Sequence, residues 1–216
     1  IRQYGIDLPI LVLGPTNPSA KAEIQQIFDY KLTATVEDFE TAEAISQLFL
    51  SKSKICPIHI KLNTGMNRYG MNCKDDIPQT SQTIWRIKQL KGLSVEGIYT
   101  HLGQSEKPDA PETIQQLASF KALIQKIETN FQWKPKWIHL ANSGATLHNL
   151  NPLGDIQNLI RPGLASYGYN PIHPQASPIQ LQPSLKLFAS VRSIQQITIG
   201  EKASYGFKWK AEKSGY

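Results

Sequence analysis

Pro57-Ile58-His59-Ile60-Lys61-Leu62 is the run on which the reading of the fold turns. Short and largely apolar, it reads as a buried strand. Comparable runs recur on either side, with helical patterns between them. Upstream, Leu8-Pro9-Ile10-Leu11-Val12-Leu13 ends at Gly14, and Leu32-Thr33-Ala34-Thr35-Val36 follows. Between these two, Asn17-Pro18 reads as a helix N-cap and first helical residue. Ala20, Ile24, Ile27 and Phe28 keep helical spacing behind it, and Ala42, Ile45, Leu48 and Phe49 form a second apolar stripe. Downstream, Ile84, Ile87 and Leu90 mark a helix and Val95 to Tyr99 a strand. Ile114, Leu117, Ile124 and Ile127 mark a long amphipathic helix. Trp137-Ile138-His139-Leu140 and Asn158-Leu159-Ile160 read as two more strands, joined by a short, irregular connection.

Six strand candidates with helices between them imply a parallel sheet wrapped by helices. An open doubly wound sheet fits the same pattern, but no Gly-rich dinucleotide fingerprint follows any strand. A closed barrel needs eight strands and typically about 250 residues. The expectation is an α/β fold: a partial TIM (β/α)8 barrel, about strands three to eight, followed by the start of an all-β domain. Ile1 is not Met and the chain stops at Ser214-Gly215-Tyr216, so both ends read as cut. The expected divisions are a barrel over residues 1–169, a linker rich in Pro and Gln over 170–183, and the β-domain over 184–216. In the last, Leu185 to Val191 alternates in part with period two, and Ile194, Ile197 and Ile199 lead to a turn at Gly200-Glu201.

Composition narrows the function classes. The chain has 216 residues, 40% of them hydrophobic, enough to bury a sizeable core. No apolar run approaches the roughly 20 residues of a membrane-spanning helix, and no signal peptide is visible. The formal charge of +6 comes without a tight basic block or a nucleic-acid motif, so it reads as a mildly basic surface with no nucleic-acid or membrane partner. Two cysteines, Cys56 and Cys73, fit a reduced, cytoplasmic protein better than a disulfide framework.

Polar residues crowd the strand ends. Lys61, Asn63 and Thr64 close one strand, with Arg68 in the same loop. Thr100 and His101 close the next, His139, Asn142 and Ser143 another, and Arg161 the last. Barrel enzymes build their sites on that rim. Any one of these residues taken alone reads as an ordinary turn residue or a structural His. Asn142-Ser143-Gly144 and Arg161-Pro162-Gly163 supply small residues with free backbone N–H groups on the final two loops, where barrels often bind phosphate.

These residues also fall into motifs. Lys61-Leu62-Asn63-Thr64-Gly65-Met66-Asn67-Arg68-Tyr69-Gly70 resembles a barrel segment of the alanine racemases. So do Gly97-Ile98-Tyr99-Thr100-His101-Leu102, His139-Leu140-Ala141-Asn142-Ser143 and Ile160-Arg161-Pro162-Gly163-Leu164-Ala165-Ser166-Tyr167-Gly168. Gly200-Glu201-Lys202-Ala203-Ser204-Tyr205-Gly206 resembles that family's first β-domain motif. The motifs occur in the family's order over nearly the whole chain.

The resemblance implies a pyridoxal phosphate enzyme, a (β/α)8 barrel followed by a β-domain, working as a head-to-tail homodimer with shared sites. It would interconvert L- and D-alanine by a two-base mechanism and supply D-alanine for peptidoglycan. Ser143, with the backbone near Gly163 and Leu164, would hold the cofactor phosphate. Arg161 would hydrogen-bond the pyridine nitrogen, supported by His139. His101 would pack against the ring, and Asn142 would order the pocket. Arg68 would lie near the phenolic oxygen and the substrate carboxylate. Lys61 matches a position carbamylated in many members, where it orients that Arg, although Asn63 stands where many members have Asp. Tyr205 would be one catalytic base, reaching the partner's site. Because arginine keeps its proton at any working pH, a ring held by Arg161 would stay largely unprotonated and be a weaker electron sink. The family's cofactor-anchoring lysine, in a Lys-Ala-Asn-Ala-Tyr-Gly-like motif, has no match in this sequence, so the chain alone is expected to be inactive. A broad-specificity or serine racemase of the same fold, or a non-catalytic pyridoxal phosphate-binding protein, are the alternatives.

Overall fold

The computed structural model describes residues 1–150, 154, 157–172 and 177–216. The chain divides into two compact units, Ile1–Gln182 and Pro183–Tyr216. The linker expected over 170–183 falls partly outside the described residues, as does part of the connection before Asn158.

In the first unit, strands β1 (Ala34–Val36), β2 (Cys56–Asn63), β4 (Leu93–Tyr99) and β5 (Trp137–His139) pair in parallel, in chain order. A two-residue strand β3 (Met71–Asn72) adds in parallel to the end of β2. Two single bridges extend the series, Leu11 to Thr33 before β1 and His139 to Leu159 after β5. Helices α1 (Lys21–Asp29), α2 (Phe39–Ser51), α3 (Ile77–Lys88) and α4 (Pro111–Phe131) separate the strands, and each packs against the next. Neighbouring strands are consecutive strands of the βα series, and the helices form one continuous layer. A doubly wound sheet reverses its strand order and puts helices on both faces, so the alternative left open by the sequence does not describe this unit.

Alternation along the strands explains the layering. Ala34, Val36, Ile58, Ile60, Leu62, Ile98 and Ile138 are fully buried and join Ile45, Ile84, Ile87 and Ile124 of the helices in one aliphatic core. The opposite face is polar and aromatic, and equally buried: Thr35, His59, Lys61, Tyr99 and His139. Register places Thr35 beside His59, His59 beside Gly97, Lys61 beside Tyr99 and Tyr99 beside His139. A bulge sets the second and third links, because β4 spends one extra residue, Glu96, between the partners of Ile58 and His59.

Several expected elements are shorter than their sequence patterns. Leu8–Leu13 forms one bridge, not a strand; Pro9 has no N–H to donate, and pairing is confined to Thr33 with Ile10 and Val12. The first helix starts at Lys21, not Pro18, because the Asn17 Oδ1 closes a turn on the Ser19 N–H at 2.9 Å. Asn158–Ile160 also reduces to a bridge: the Asn158 carboxamide accepts from Ile138 N at 3.0 Å and donates to Lys136 O at 2.6 Å, where a strand would use its backbone. Within the connection expected to be irregular lies a short helix, α5 (Ser143–Leu147), capped by Asn142 Oδ1 on Ala145 N. Ile114 is exposed; the buried face of α4 runs through Thr113, Gln116, Phe120, Leu123, Ile124 and Ile127.

In the second unit, Leu185–Val191 forms no strand, and Leu187 and Phe188 are exposed. A strand needs a partner, and among the described residues pairing comes later, between β6 (Lys202–Ala203) and β7 (Trp209–Lys210), with a bridge from Ile197 to Gly215. The turn at Gly200-Glu201 is present: Gly200 has φ +90° and Glu201 N donates to Thr198 O.

Gly97 gives the most direct test of this packing. A Cβ there would lie 2.5 Å from His59 Nδ1, closer than real contacts allow. Gly97→Ala should cost about 1–3 kcal/mol in urea unfolding; an unchanged midpoint would show that His59 does not occupy the space beside Gly97.

Candidate active site

The polar face of the sheet ends in a cluster centred on Arg161. Its backbone N–H donates to Ala141 O at 2.8 Å, fixing the segment after Leu159 against the end of β5. One guanidinium nitrogen, Nη1, makes a short hydrogen bond to His139 Nδ1. The other, Nη2, donates to Thr100 O at 2.8 Å and lies 3.5 Å from His101 Nδ1. The guanidinium carbon stands 4.9 Å from the centroid of Tyr99, whose ring stacks on His139 at 4.7 Å and 6°. Tyr99 is itself pinned, its hydroxyl 3.0 Å from Thr35 Oγ1 and 3.2 Å from Leu13 O.

Proton placement follows from these contacts. A guanidinium only donates, so His139 Nδ1 must accept and the His139 proton sits on Nε2. That nitrogen lies 2.8 Å from His59 Nδ1, which therefore accepts in turn. Arg161, His139 and His59 form a directed chain running from the rim into the sheet. Burial first, and the Arg161 charge second, hold His59 and His101 down to about 4 from the ordinary 6.5; His139 is pushed lower still, by burial, Arg161 and then His59. All three imidazoles are neutral at neutral pH.

The cluster is strongly cationic. Lys61 Nζ is buried, donates to Leu62 O at 2.6 Å and lies 5.4 and 5.6 Å from the rings of Tyr69 and Tyr99. Burial, then Arg161 and Arg68, lower it to about 8. Arg161 is lowered to about 10, mainly by burial. Among the described residues no carboxylate pairs with Lys61, Arg68 or Arg161; the ion pair present is Lys134 with Glu128.

Two further groups complete the rim. Ser143 Oγ accepts from Gly163 N at 2.9 Å and from Ala165 N at 3.1 Å. Two backbone N–H groups thus converge on one hydroxyl, the kind of nest that binds anions. The turn after β2 is closed by Asn63, whose Oδ1 takes Gly65 N and Asn67 N and whose Nδ2 donates to Asn67 Oδ1 at 3.2 Å. An Asp could not make that last contact. Asn67 has φ +55°, and Arg68 projects from the turn with its guanidinium against the Tyr69 ring at 5.2 Å.

The structure brings together Lys61, His101, His139, Asn142, Ser143, Arg161 and Gly163, with Arg68 at the margin. Asn142 Nδ2 donates to Leu102 O at 3.3 Å and lies 3.4 Å from His101 Nε2. Leu164 opens a 3-10 turn with an exposed side chain, and its neighbour Ala165, which the motif reading passed over, provides the second N–H on Ser143. Tyr205 belongs to the second unit, in a 3-10 turn entered through Ser204 at φ +63°, with its ring exposed. His59 and Tyr99 were missed as participants. Each lies two residues from a rim residue, Lys61 and His101 respectively, and so on the same strand face, which was signal enough.

Comparison with known proteins fits this geometry. The family model described as alanine racemase, N-terminal domain, matches residues 1–171. The chain belongs to the alanine racemase family. An alanine racemase of Cutibacterium acnes is 32% identical over 216 residues, covering 98% of this chain and 54% of that protein. The solved alanine racemase of E. faecalis superposes with a TM-score of 0.78 at 29% identity, covering 99% of this chain and 54% of that one. A histidine racemase of Leuconostoc mesenteroides, at 22% identity and a TM-score of 0.73, shares the fold. The chain spans about half the length of the curated alanine racemases it matches. The family uses pyridoxal phosphate.

The neutral imidazoles set a pH dependence of stability. Because their folded pKa values lie below 6.5, the unfolded chain binds more protons between about pH 6.5 and about pH 4. Stability should fall as the pH falls through that window, by at most roughly 1.4 kcal/mol per pH unit for each such imidazole. His59→Gln should make the fall shallower in urea unfolding at stepped pH, and an equal slope would contradict the neutral assignment.

Proposed function

We propose that this chain forms strands three to eight of the barrel, and the start of the β-domain, of an alanine racemase. The enzyme would interconvert L- and D-alanine in the cytoplasm and supply D-alanine for peptidoglycan. The observation that carries the reading is the Arg161 cluster: a half-buried guanidinium fixed by His139, Thr100 and Tyr99, beside an N–H nest at Ser143, in a pocket where, among the described residues, Lys61, Arg68 and Arg161 form no ion pair. A phosphate-bearing pyridine with a phenolic oxygen brings negative charge to these cations, so the residues present fit the family's cofactor.

When bound, pyridoxal phosphate supplies the electron sink that makes the amino-acid Cα proton removable. Ser143 Oγ and the N–H groups near Gly163 and Leu164 hold the phosphate. Arg161 uses only part of its five N–H groups on its supports and donates to the pyridine nitrogen; remaining charged, it gives up no proton there. His101, kept neutral, packs against the ring without adding charge, and Asn142 orders it. Arg68 receives the substrate carboxylate. Lys61, lowered to about 8, presents more neutral amine than an exposed lysine, the form that reacts with carbon dioxide to give a carbamate able to orient Arg68. Tyr205 acts as one base in the partner's site of a head-to-tail homodimer.

The family's anchoring lysine has no match in this sequence, so the 216-residue chain alone does not racemise. Adding cofactor to the purified chain should give no absorbance band near about 420 nm, and a band would overturn that point. In a longer protein that includes the lysine segment, a coupled assay should show alanine racemisation, and Tyr205→Phe should lower kcat by about a hundredfold or more. Faster turnover of serine than of alanine, or an unaffected Tyr205→Phe variant, would contradict the proposed substrate or the proposed base.

A further inference from the structure

Gln116 lies on the buried face of α4, among Phe120, Leu123, Ile124 and Ile127, and is itself buried. A carboxamide on such a face is costly unless its hydrogen bonds are made. Here Oε1 accepts from Gly103 N at 2.9 Å. Nε2 donates to Thr64 Oγ1 and to His101 O, each at 3.2 Å. The amide orientation is fixed, since the oxygen faces an N–H and the nitrogen faces two oxygens. Two glycines close on it: a Cβ at Gly65 would meet Gln116 Cγ at 3.4 Å, and one at Gly103 would meet Oε1 at 3.7 Å.

The contacts join two rim loops that the sheet does not join. Thr64 begins the turn that carries Arg68, and His101 and Gly103 follow β4. From Thr64 the chain continues: its Oγ1 is 2.8 Å from Thr100 Oγ1, which donates to Leu62 O at 3.1 Å. With the Thr100 proton committed, Thr64 donates to Thr100, and the hydroxyls form a directed series from Gln116 to the end of β2. Thr100 is also the residue whose carbonyl holds Arg161. One side chain on an outer helix thus touches the backbone of His101 directly and reaches, through two threonines, the residue that seats the guanidinium.

We propose that Gln116 is a positioning residue, whose carboxamide sets the His101 loop and the Arg68 turn at a fixed separation for the cofactor and the substrate carboxylate. The positioning stands on the geometry; its consequence for cofactor binding rests on the racemase reading. A hydrophobic side chain of equal size would fill the same space on α4 but hold neither loop.

The test uses the 216-residue chain and three variants, Gln116→Leu, Gln116→Glu and Thr64→Val, with unfolding curves to confirm folding. The readouts are the NMR signals of the His101 imidazole and the Gly103 and Asn67 amides, and the affinity for pyridoxine phosphate, which cannot bond covalently to lysines. Gln116→Leu should shift all three signals and weaken binding about tenfold, the equivalent of one buried hydrogen bond. Thr64→Val should shift Asn67 and leave Gly103 in place. Gln116→Glu regains a donor only when its carboxyl is protonated, so its His101 signal and affinity should recover towards wild type as the pH falls from about 8 to about 5. Wild-type His101 signals and affinity in Gln116→Glu at every pH would overturn the proposal, and so would the same result in Gln116→Leu. If Gln116→Leu fails to fold, Gln116→Glu and Thr64→Val decide. If the wild-type chain binds no pyridoxine phosphate, the racemase reading loses its support, while the NMR signals still decide the positioning.

Discussion

The hydrogen bond from Arg161 to His139 Nδ1 is the constraint on which the rest of the rim depends. A guanidinium that keeps its proton is half-buried with no carboxylate paired to it among the described residues. Such a charge is tolerated only where several neutral acceptors share it. His139 Nδ1 and Thr100 O are those acceptors, and the Tyr99 face lies against the cation. Each acceptor has a consequence. His139 must keep its proton on Nε2, so His59 must accept. His59 needs the space beside it, so β4 must carry a glycine there and a bulge to bring that glycine into register.

Positive charge dominates the pocket, with Glu37 a smaller opposing influence on Lys61. Burial, and then Arg161 and Arg68, disfavour the protonation of both Lys61 and His101, and Lys61 adds to the effect on His101. Neutral imidazoles let the histidines serve as acceptors and packing surfaces without adding to the positive field. Among the described residues the remaining cations have neutral hydrogen-bond or ring partners but no ion pair, and the N–H groups on Ser143 lie on the same rim. The aliphatic face of the same strands anchors the arrangement by burying its isoleucines under α2, α3 and α4. Strand alternation therefore separates stability on one face from chemistry on the other.

Much of this was legible in the sequence, because the period-two and helical patterns report burial directly. The strand runs around Ile58, Val95 and Ile138 are strands, and the stripes of α2 and α3 face the core. Edges were less legible. Leu8–Leu13 and Asn158–Ile160 have strand composition, but proline chemistry in one and a competing carboxamide in the other reduce each to a bridge. Leu185–Val191 alternates yet has no partner, since pairing is a tertiary property that a single run does not encode. At the rim, motif reading identified Arg161, His139, Ser143 and His101, which carry polar atoms at strand ends. It passed over His59, which sits within β2, Tyr99, an aromatic at the last position of β4, and Gln116, which sits on a helix. What those residues do depends on which neighbours the register and helix packing bring to them.

Nitrogen-15 NMR of the His139 imidazole tests the central claim most directly, because it reports both protonation and tautomer. The account predicts a neutral ring down to about pH 5, with Nε2 protonated and Nδ1 showing the shift of an unprotonated acceptor. An imidazolium at neutral pH, or a proton on Nδ1, would contradict the guanidinium–imidazole chain on which the site is built.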